Sequence, residues 1–199
     1  MYVKICGLRS TGDVTAAVDA GADAVGFVLT SSVRQVAPER ARKLAAGVPD
    51  HVLTVAVFTD EPCDVIRAAA HAAGVRAIQL HGPRARTDFA ALRHMPGCLI
   101  RATASEAPDL NPGAYGEDML IVDALRPGSG QPWRWGALAD RGFTGRWLLA
   151  GGLNERNVAD AVRAARPWGV DVSSGVEGDR GVKDPALIRR FIAAAKTAR

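Results

Sequence analysis

The chain has 199 residues, 48% hydrophobic and 23% charged, with a formal net charge of +4; this balance suits one globular domain with a proper core and, weakly, an anionic small-molecule ligand. Basic residues are scattered with no run of five, so a nucleic-acid surface is not indicated, and no signal peptide or long apolar span is expected to direct the chain to a membrane. The three cysteines, Cys6, Cys63 and Cys98, form no C-x-x-C, and histidines do not cluster, which argues against a zinc site and a disulfide framework and fits a reducing cytosol.

Strand patterns alternate with helix patterns along the chain. Residues 2–6 are rich in β-branched and aromatic side chains and read as a strand ending in Cys6-Gly7, where the glycine lets the backbone turn away. A helix follows over 13–20, stopped by Gly21, then a strand over 24–29 and a helix opened by Pro38 and running to 46. The next units are a strand over 52–58 with a helix over 62–73, a strand over 77–80 with a helix over 87–94, and a strand over 98–102. Then the rhythm falters: residues 105–117 hold Pro108, Pro112, Gly113 and Gly116, which do not suit a regular helix. A strand over 119–122 ends at Asp123, and a Gly/Pro-rich loop over 126–132 leads to a short helix from Trp135. A strand over 146–149, a helix capped by Asn154 and running to 165, and a strand over 170–172 complete the alternation. Asp184-Pro185 caps and starts a last helix to 197.

Eight strands in 199 residues allow about 25 residues per strand–helix unit, at the small end for a closed (β/α)8 TIM barrel. The expected architecture is therefore an α/β single-domain barrel over residues 1–199, with an irregular segment in place of its fifth helix. An open doubly wound sheet would want Gly-x-Gly-x-x-Gly after the first strand, and Cys6-Gly7-Leu8-Arg9-Ser10 does not supply it.

In such a barrel all strand C-termini face one mouth. Gly151-Gly152 and Ser173-Ser174-Gly175 follow strands seven and eight, the usual phosphate site of this fold; both are also ordinary turn sequences, but their coincidence favours an anion held by bare amides and hydroxyls. Gly128 and Gly130, after strand six, suit a flap over the same pocket. Arg34 lies in a loop, as a solvated residue or as a fork for a substrate carboxylate. Cys6 is a buried apolar filler or a nucleophile or base; Asp123 is a turn cap or a partly desolvated general acid. Lys4 and Asp171 lie within strands, and alternation alone does not decide which face either takes. His81 reads as a structural residue, Cys63 and Cys98 as core fillers, and Trp133 and Trp135 as anchors of the sixth helix or, for one of them, as the border of an aromatic substrate.

Several stretches together resemble one family. They are Val3-Lys-Ile-Cys-Gly-Leu8, Gly21-Ala-Asp-Ala-Val-Gly-Phe27, Ser32-Val-Arg-Gln-Val-Ala-Pro-Glu39, Gln79-Leu-His-Gly82, Asp123, Leu149-Ala-Gly-Gly-Leu153 with Asn157-Val158, Gly169-Val-Asp-Val-Ser-Ser-Gly-Val-Glu177 and Gly181-Val-Lys-Asp184. Spread over the chain in order, they resemble the phosphoribosylanthranilate isomerases of tryptophan biosynthesis, cytoplasmic (β/α)8 enzymes. The resemblance implies an Amadori rearrangement of a phosphorylated small molecule without cofactor or metal, in a monomer or homodimer. It implies Asp123 as general acid and Cys6, as thiolate, as the base; Arg34 for the anthranilate carboxylate; Asp171 near the anthranilate amine; and Gly128, Gly130, Gly151, Gly152, Ser173, Ser174 and Gly175 around the substrate and its phosphate. A thiolate base needs ionisation near neutral pH, so a depressed Cys6 pKa is expected. The sequence departs from the family at Gly128-Ser-Gly-Gln-Pro-Trp-Arg-Trp135, where Gln131 stands for a lysine and Arg134 for an aspartate. The rival readings are a non-catalytic or repurposed phosphate-binding paralogue, and a dual-substrate histidine/tryptophan isomerase, which would carry an aspartate where this chain has Cys6.

Overall fold

The computed structural model describes residues 1–123 and 135–198. Eight parallel strands close on themselves: β1 (Tyr2–Cys6), β2 (Ala24–Val28), β3 (Leu53–Phe58), β4 (Ala77–His81), β5 (Cys98–Ala104), β6 (Met119–Asp123), β7 (Trp147–Leu149) and β8 (Gly169–Val172). Closure is made by β1, which pairs with β2 on one side and β8 on the other, Lys4 standing opposite both Ala24 and Asp171. Period-two alternation divides the strand residues into two sets. Val3, Ile5, Val25, Phe27, Val170 and Val172 join the core between barrel and helices. Cys6, Ala24, Val28, Val55, Val57, Ile121 and Leu148 fill the barrel itself.

The helices are α1 (Thr11–Asp19), α2 (Pro38–Ala45), α3 (Cys63–Ala73), α4 (Arg86–Leu92), α5 (Gly136–Ala139), α6 (Val158–Ala165) and α7 (Pro185–Thr197). α1 begins earlier than its apolar pattern suggests because Ser10 and Asp13 form a reciprocal cap: Asp13 N donates to Ser10 Oγ at 3.1 Å and Ser10 N to Asp13 Oδ2 at 3.1 Å. α6 begins later than expected. Asn154 organises the preceding turn, accepting from Arg156 N and Asn157 N, and Asn157 takes the cap position. At α7, Asp184 Oδ1 accepts from Ala186 N and Leu187 N, and Pro185 supplies the first turn, as its sequence indicates. No helix among the described residues is long and apolar enough to cross a membrane.

No helix lies between β5 and β6. The irregular segment is held instead by Arg101, whose side chain leaves the outer face of β5 and is almost fully buried. Its Nε donates to Glu117 Oε1 at 2.7 Å, Nη1 to the Asp109 carbonyl at 2.7 Å and Nη2 to the Asn111 carbonyl at 3.2 Å. The guanidinium also stacks 4.3 Å from the Tyr115 ring centre, and Glu117 Oε2 accepts from Tyr115 N at 2.7 Å. One arginine thus ties together carbonyls that a helix would otherwise have satisfied. After β8 the chain makes a 3-10 turn (Ser174–Val176) and an antiparallel hairpin, β9 (Glu177–Asp179) and β10 (Val182–Lys183), which the sequence reading does not foresee.

Candidate active site

A cleft of about 640 Å³ opens at the C-terminal mouth of the barrel. Arg34, Asp123, Gly151, Gly152, Asp171, Ser173, Ser174 and Gly175 all line it, so residues from the ends of β2, β6, β7 and β8 meet there. Cys6 is not on its wall. The thiol lies beneath, 7% exposed, in the apolar packing of the barrel interior. Below Cys6 on the same strand face is Lys4, fully buried, whose Nζ donates to Asp171 Oδ1 at 2.9 Å across the β1–β8 ladder. Both ambiguous strand residues therefore point into the barrel.

The expected depression of the Cys6 pKa is corrected by this placement. Burial pushes the thiol above its ordinary value, and Asp171 pushes the same way, while Lys4 and Lys183 pull against them without winning. A strand-end cysteine looks accessible in sequence; the interior packing around it is what the sequence conceals. Cys63 and Cys98 are half-buried rather than deep in the core.

Arg34 is held across the cleft mouth by a residue far away in the chain. Its Nε donates to Glu177 Oε1 at 2.6 Å and its Nη2 to Glu177 Oε2 at 2.9 Å, a bidentate pair. Glu177 is itself clamped, accepting from Lys183 Nζ at 2.8 Å and from Gly181 N at 2.9 Å. Burial alone would raise the Glu177 carboxyl, but the hydrogen bonds from Arg34, Lys183 and Gly181 outweigh it and bring it down to about 2. Lys183 also donates to the Ser173 carbonyl at 2.8 Å, so the hairpin, the Arg34 loop and the strand-eight loop form one network. Two edges of a guanidinium can each take a carboxylate. Glu177 occupies the Nε/Nη2 edge, and among the described residues no protein group takes the other. Glu177 and Lys183 are site residues that sequence reasoning assigns no role; only their place beside the Ser-Ser-Gly turn hinted at one.

The loops after β7 and β8 touch backbone to backbone. A Cβ on Gly175 would lie 1.7 Å from the Leu153 carbonyl oxygen, so no other residue fits there. Among the described residues, no protein group accepts from the N–H of Gly152, Ser174 or Gly175. Three amide donors are thereby gathered at one rim of the cleft, suited to an anion. Among the described residues no cluster of three or more His, Cys, Asp or Glu side chains could hold a metal.

A family model for N-(5′-phosphoribosyl)anthranilate (PRA) isomerase matches residues 3–194. The chain belongs to that family. The N-(5′-phosphoribosyl)anthranilate isomerase of Symbiobacterium thermophilum is 43% identical, with 98% of each chain covered. Among solved structures, TrpF of Jonesia denitrificans is 46% identical and superposes with a TM-score of 0.92 over 100% of this chain and 98% of that one. A phosphoribosyl anthranilate isomerase crystallised with reduced 1-(o-carboxyphenylamino)-1-deoxyribulose 5-phosphate is 34% identical, with a TM-score of 0.84 over 98% of each chain. Against the usual pattern of PRA isomerases, the departures at Gln131 and Arg134, like the flap residues Gly128 and Gly130 and the anchor Trp133, lie outside the described residues. Trp135 is described: it precedes α5 and packs partly buried against the outer core.

Proposed function

We propose that this PRA isomerase family member, as one barrel domain, converts N-(5′-phosphoribosyl)anthranilate to 1-(2-carboxyphenylamino)-1-deoxyribulose 5-phosphate, with Asp123 as acid and Cys6 as base. In this reading Asp123 protonates the ribose ring oxygen and the C1–O bond breaks to a Schiff base. Cys6 takes the C2 proton, the C–H electron pair becomes the C1=C2 bond of an enolamine, and tautomerisation delivers the ketone. Nothing is gained or lost overall, so the reaction calls for an acid, a base and a held substrate. One observation carries the reading: a cleft lined by the β6 carboxylate has a rim that gathers amide donors, and the β1 thiol is buried in the barrel interior beneath it. The cleft volume suits a ligand of this size. Gly151, Gly152, Ser173, Ser174 and Gly175 take the phosphate, Arg34 the anthranilate carboxylate and Asp171 the neighbourhood of the anthranilate amine. The reaction belongs to tryptophan biosynthesis. A cytosolic location, which three free thiols suit, and a monomeric or homodimeric state complete the reading.

Turnover of freshly generated phosphoribosylanthranilate, followed by loss of its anthranilate fluorescence, tests it. Cys6→Ala and Asp123→Asn are each expected to lose at least about 10²-fold in kcat while remaining folded. Full activity in either variant would reject that residue's role, and a folded wild type without turnover would make the chain a repurposed barrel.

A further inference from the structure

Lys4 is the most unusual occupant of the barrel interior. Interior positions of the other strands carry Val55, Ala77, Ile100, Met119 and Leu148, with Gln79 an uncharged polar exception. An ammonium with no exposed surface costs several kcal/mol of lost hydration, and one carboxylate at 2.9 Å repays only part of it. Asp171, for its part, reaches the cleft with a side chain only 11% exposed. Stability therefore does not explain why a lysine is here.

Geometry offers a reason. Gly26 stands opposite Cys6 on β2, and a Cβ on it would lie 3.0 Å from Cys6 Sγ and 3.3 Å from Lys4 Nζ. Thiol and ammonium thus converge on the space that this glycine leaves open. We propose that Lys4 is the positioning residue for Cys6: its ammonium, held by Asp171 and given room by Gly26, stabilises the thiolate that removes the C2 proton. This rests on Cys6 being the base. The proton taken from C2 goes to Sγ; the ammonium keeps its own throughout.

The charges around Cys6 agree with that division of labour. Burial drives the thiol toward its neutral form, and Lys4 is the foremost group opposing it, by its charge. Lys183, from the hairpin, acts in the same sense, Asp171 acts against it, and Arg34 lies within electrostatic range. Lys4 stays protonated: burial works to lower its pKa, but Asp171 and Cys6 outweigh burial and raise it. Lys4 thereby keeps a buried thiol ionisable.

The test follows the thiol and not only the rate. In a Cys63→Ala/Cys98→Ala background, the ultraviolet absorbance of the thiolate is titrated against pH in wild type and Lys4→Met. The thiolate midpoint should rise by about one unit or more in Lys4→Met, and the ascending limb of kcat/KM should move with it. An unshifted midpoint in the folded variant overturns the proposal. Where Lys4→Met fails to fold because Asp171 is stranded, Lys4→Met/Asp171→Asn removes both charges, and an upward shift is again required. Should that fail too, the Lys4 ammonium nitrogen resonance of wild type must follow the thiol titration and lose that response in Cys6→Ala. An active Cys6→Ala enzyme with a shifted thiol in Lys4→Met would sink the base assignment alone.

Discussion

The Arg101–Glu117 and Lys4–Asp171 ion pairs lie on opposite sides of the barrel wall, and they are built to different ends. On the outside, Arg101 meets a carboxylate, two carbonyls and an aromatic face, and Glu117 spends its second oxygen on a backbone amide. That pair is closed: each partner also bonds backbone groups of the segment that has no helix, and so fixes it. On the inside, Lys4 has one carboxylate oxygen as its partner and then faces a thiol, while Asp171 opens onto the cleft. A buried charge with capacity to spare is poorly suited to holding a fold and well suited to chemistry. What separates a structural ion pair from a functional one here is whether its geometry is complete.

The largest effect should come from breaking the outer pair. Arg101→Met strands Glu117 in the wall, with an expected loss of about 3–5 kcal/mol in stability and a Tm lower by roughly 10 °C or more. Turnover per folded molecule should stay within about twofold; calorimetry paired with active-site titration measures both, and a folded Arg101→Met enzyme with impaired turnover would erase the contrast. A smaller effect is expected between these extremes, in the half-open pair of Arg34 and Glu177. Glu177→Gln removes the charged half of the fork that orients Arg34, so KM should rise by about tenfold with a lesser change in kcat. Steady-state kinetics showing the reverse split would place Glu177 in the chemical step instead. The mildest test is acid titration. Glu177 is lowered from an ordinary 4.5 to about 2, so the fold favours its ionised form. Its stabilisation is complete above 4.5 and lost as pH falls toward 2. Urea midpoints of wild type and Glu177→Gln should accordingly converge as the pH is lowered through that window; a constant gap would mean the carboxylate's charge is not what the hairpin uses.

The barrel was legible because its strands are short β-branched runs punctuated by glycine, and because Pro38, Gly74 and Asp184 mark helix ends by simple backbone chemistry. Local competition blurred the rest. Asn154 and Asn157 are both competent caps, and only the turn preceding α6 chooses between them. The hairpin of Glu177–Asp179 and Val182–Lys183 is polar, short and glycine-rich, so its pairing leaves no periodic trace. At the site, the residues that meet in the cleft could be named from their places after strands. The partners that set their behaviour could not. Arg34 finds Glu177 at a separation of 143 residues, and Lys4 finds Asp171 at 167. The inward turn of Lys4 and the burial of Cys6 follow from the β1–β8 register, which strand alternation does not reveal, and that is why the sequence alone points to the opposite direction for the thiol's shift.

That same register has a consequence for how the molecule comes into being. β1 precedes the other seven barrel strands in synthesis, yet one of its two edges waits for β8, 167 residues later at the Lys4–Asp171 contact. Bringing two such distant segments together carries a large loop-closure cost before any contact rewards it. The strand bearing Cys6 therefore leaves the ribosome ahead of β8, with an unpaired edge and an unneutralised lysine. The cleft at the barrel mouth is among the last features to exist, completed only when the final units of the barrel arrive.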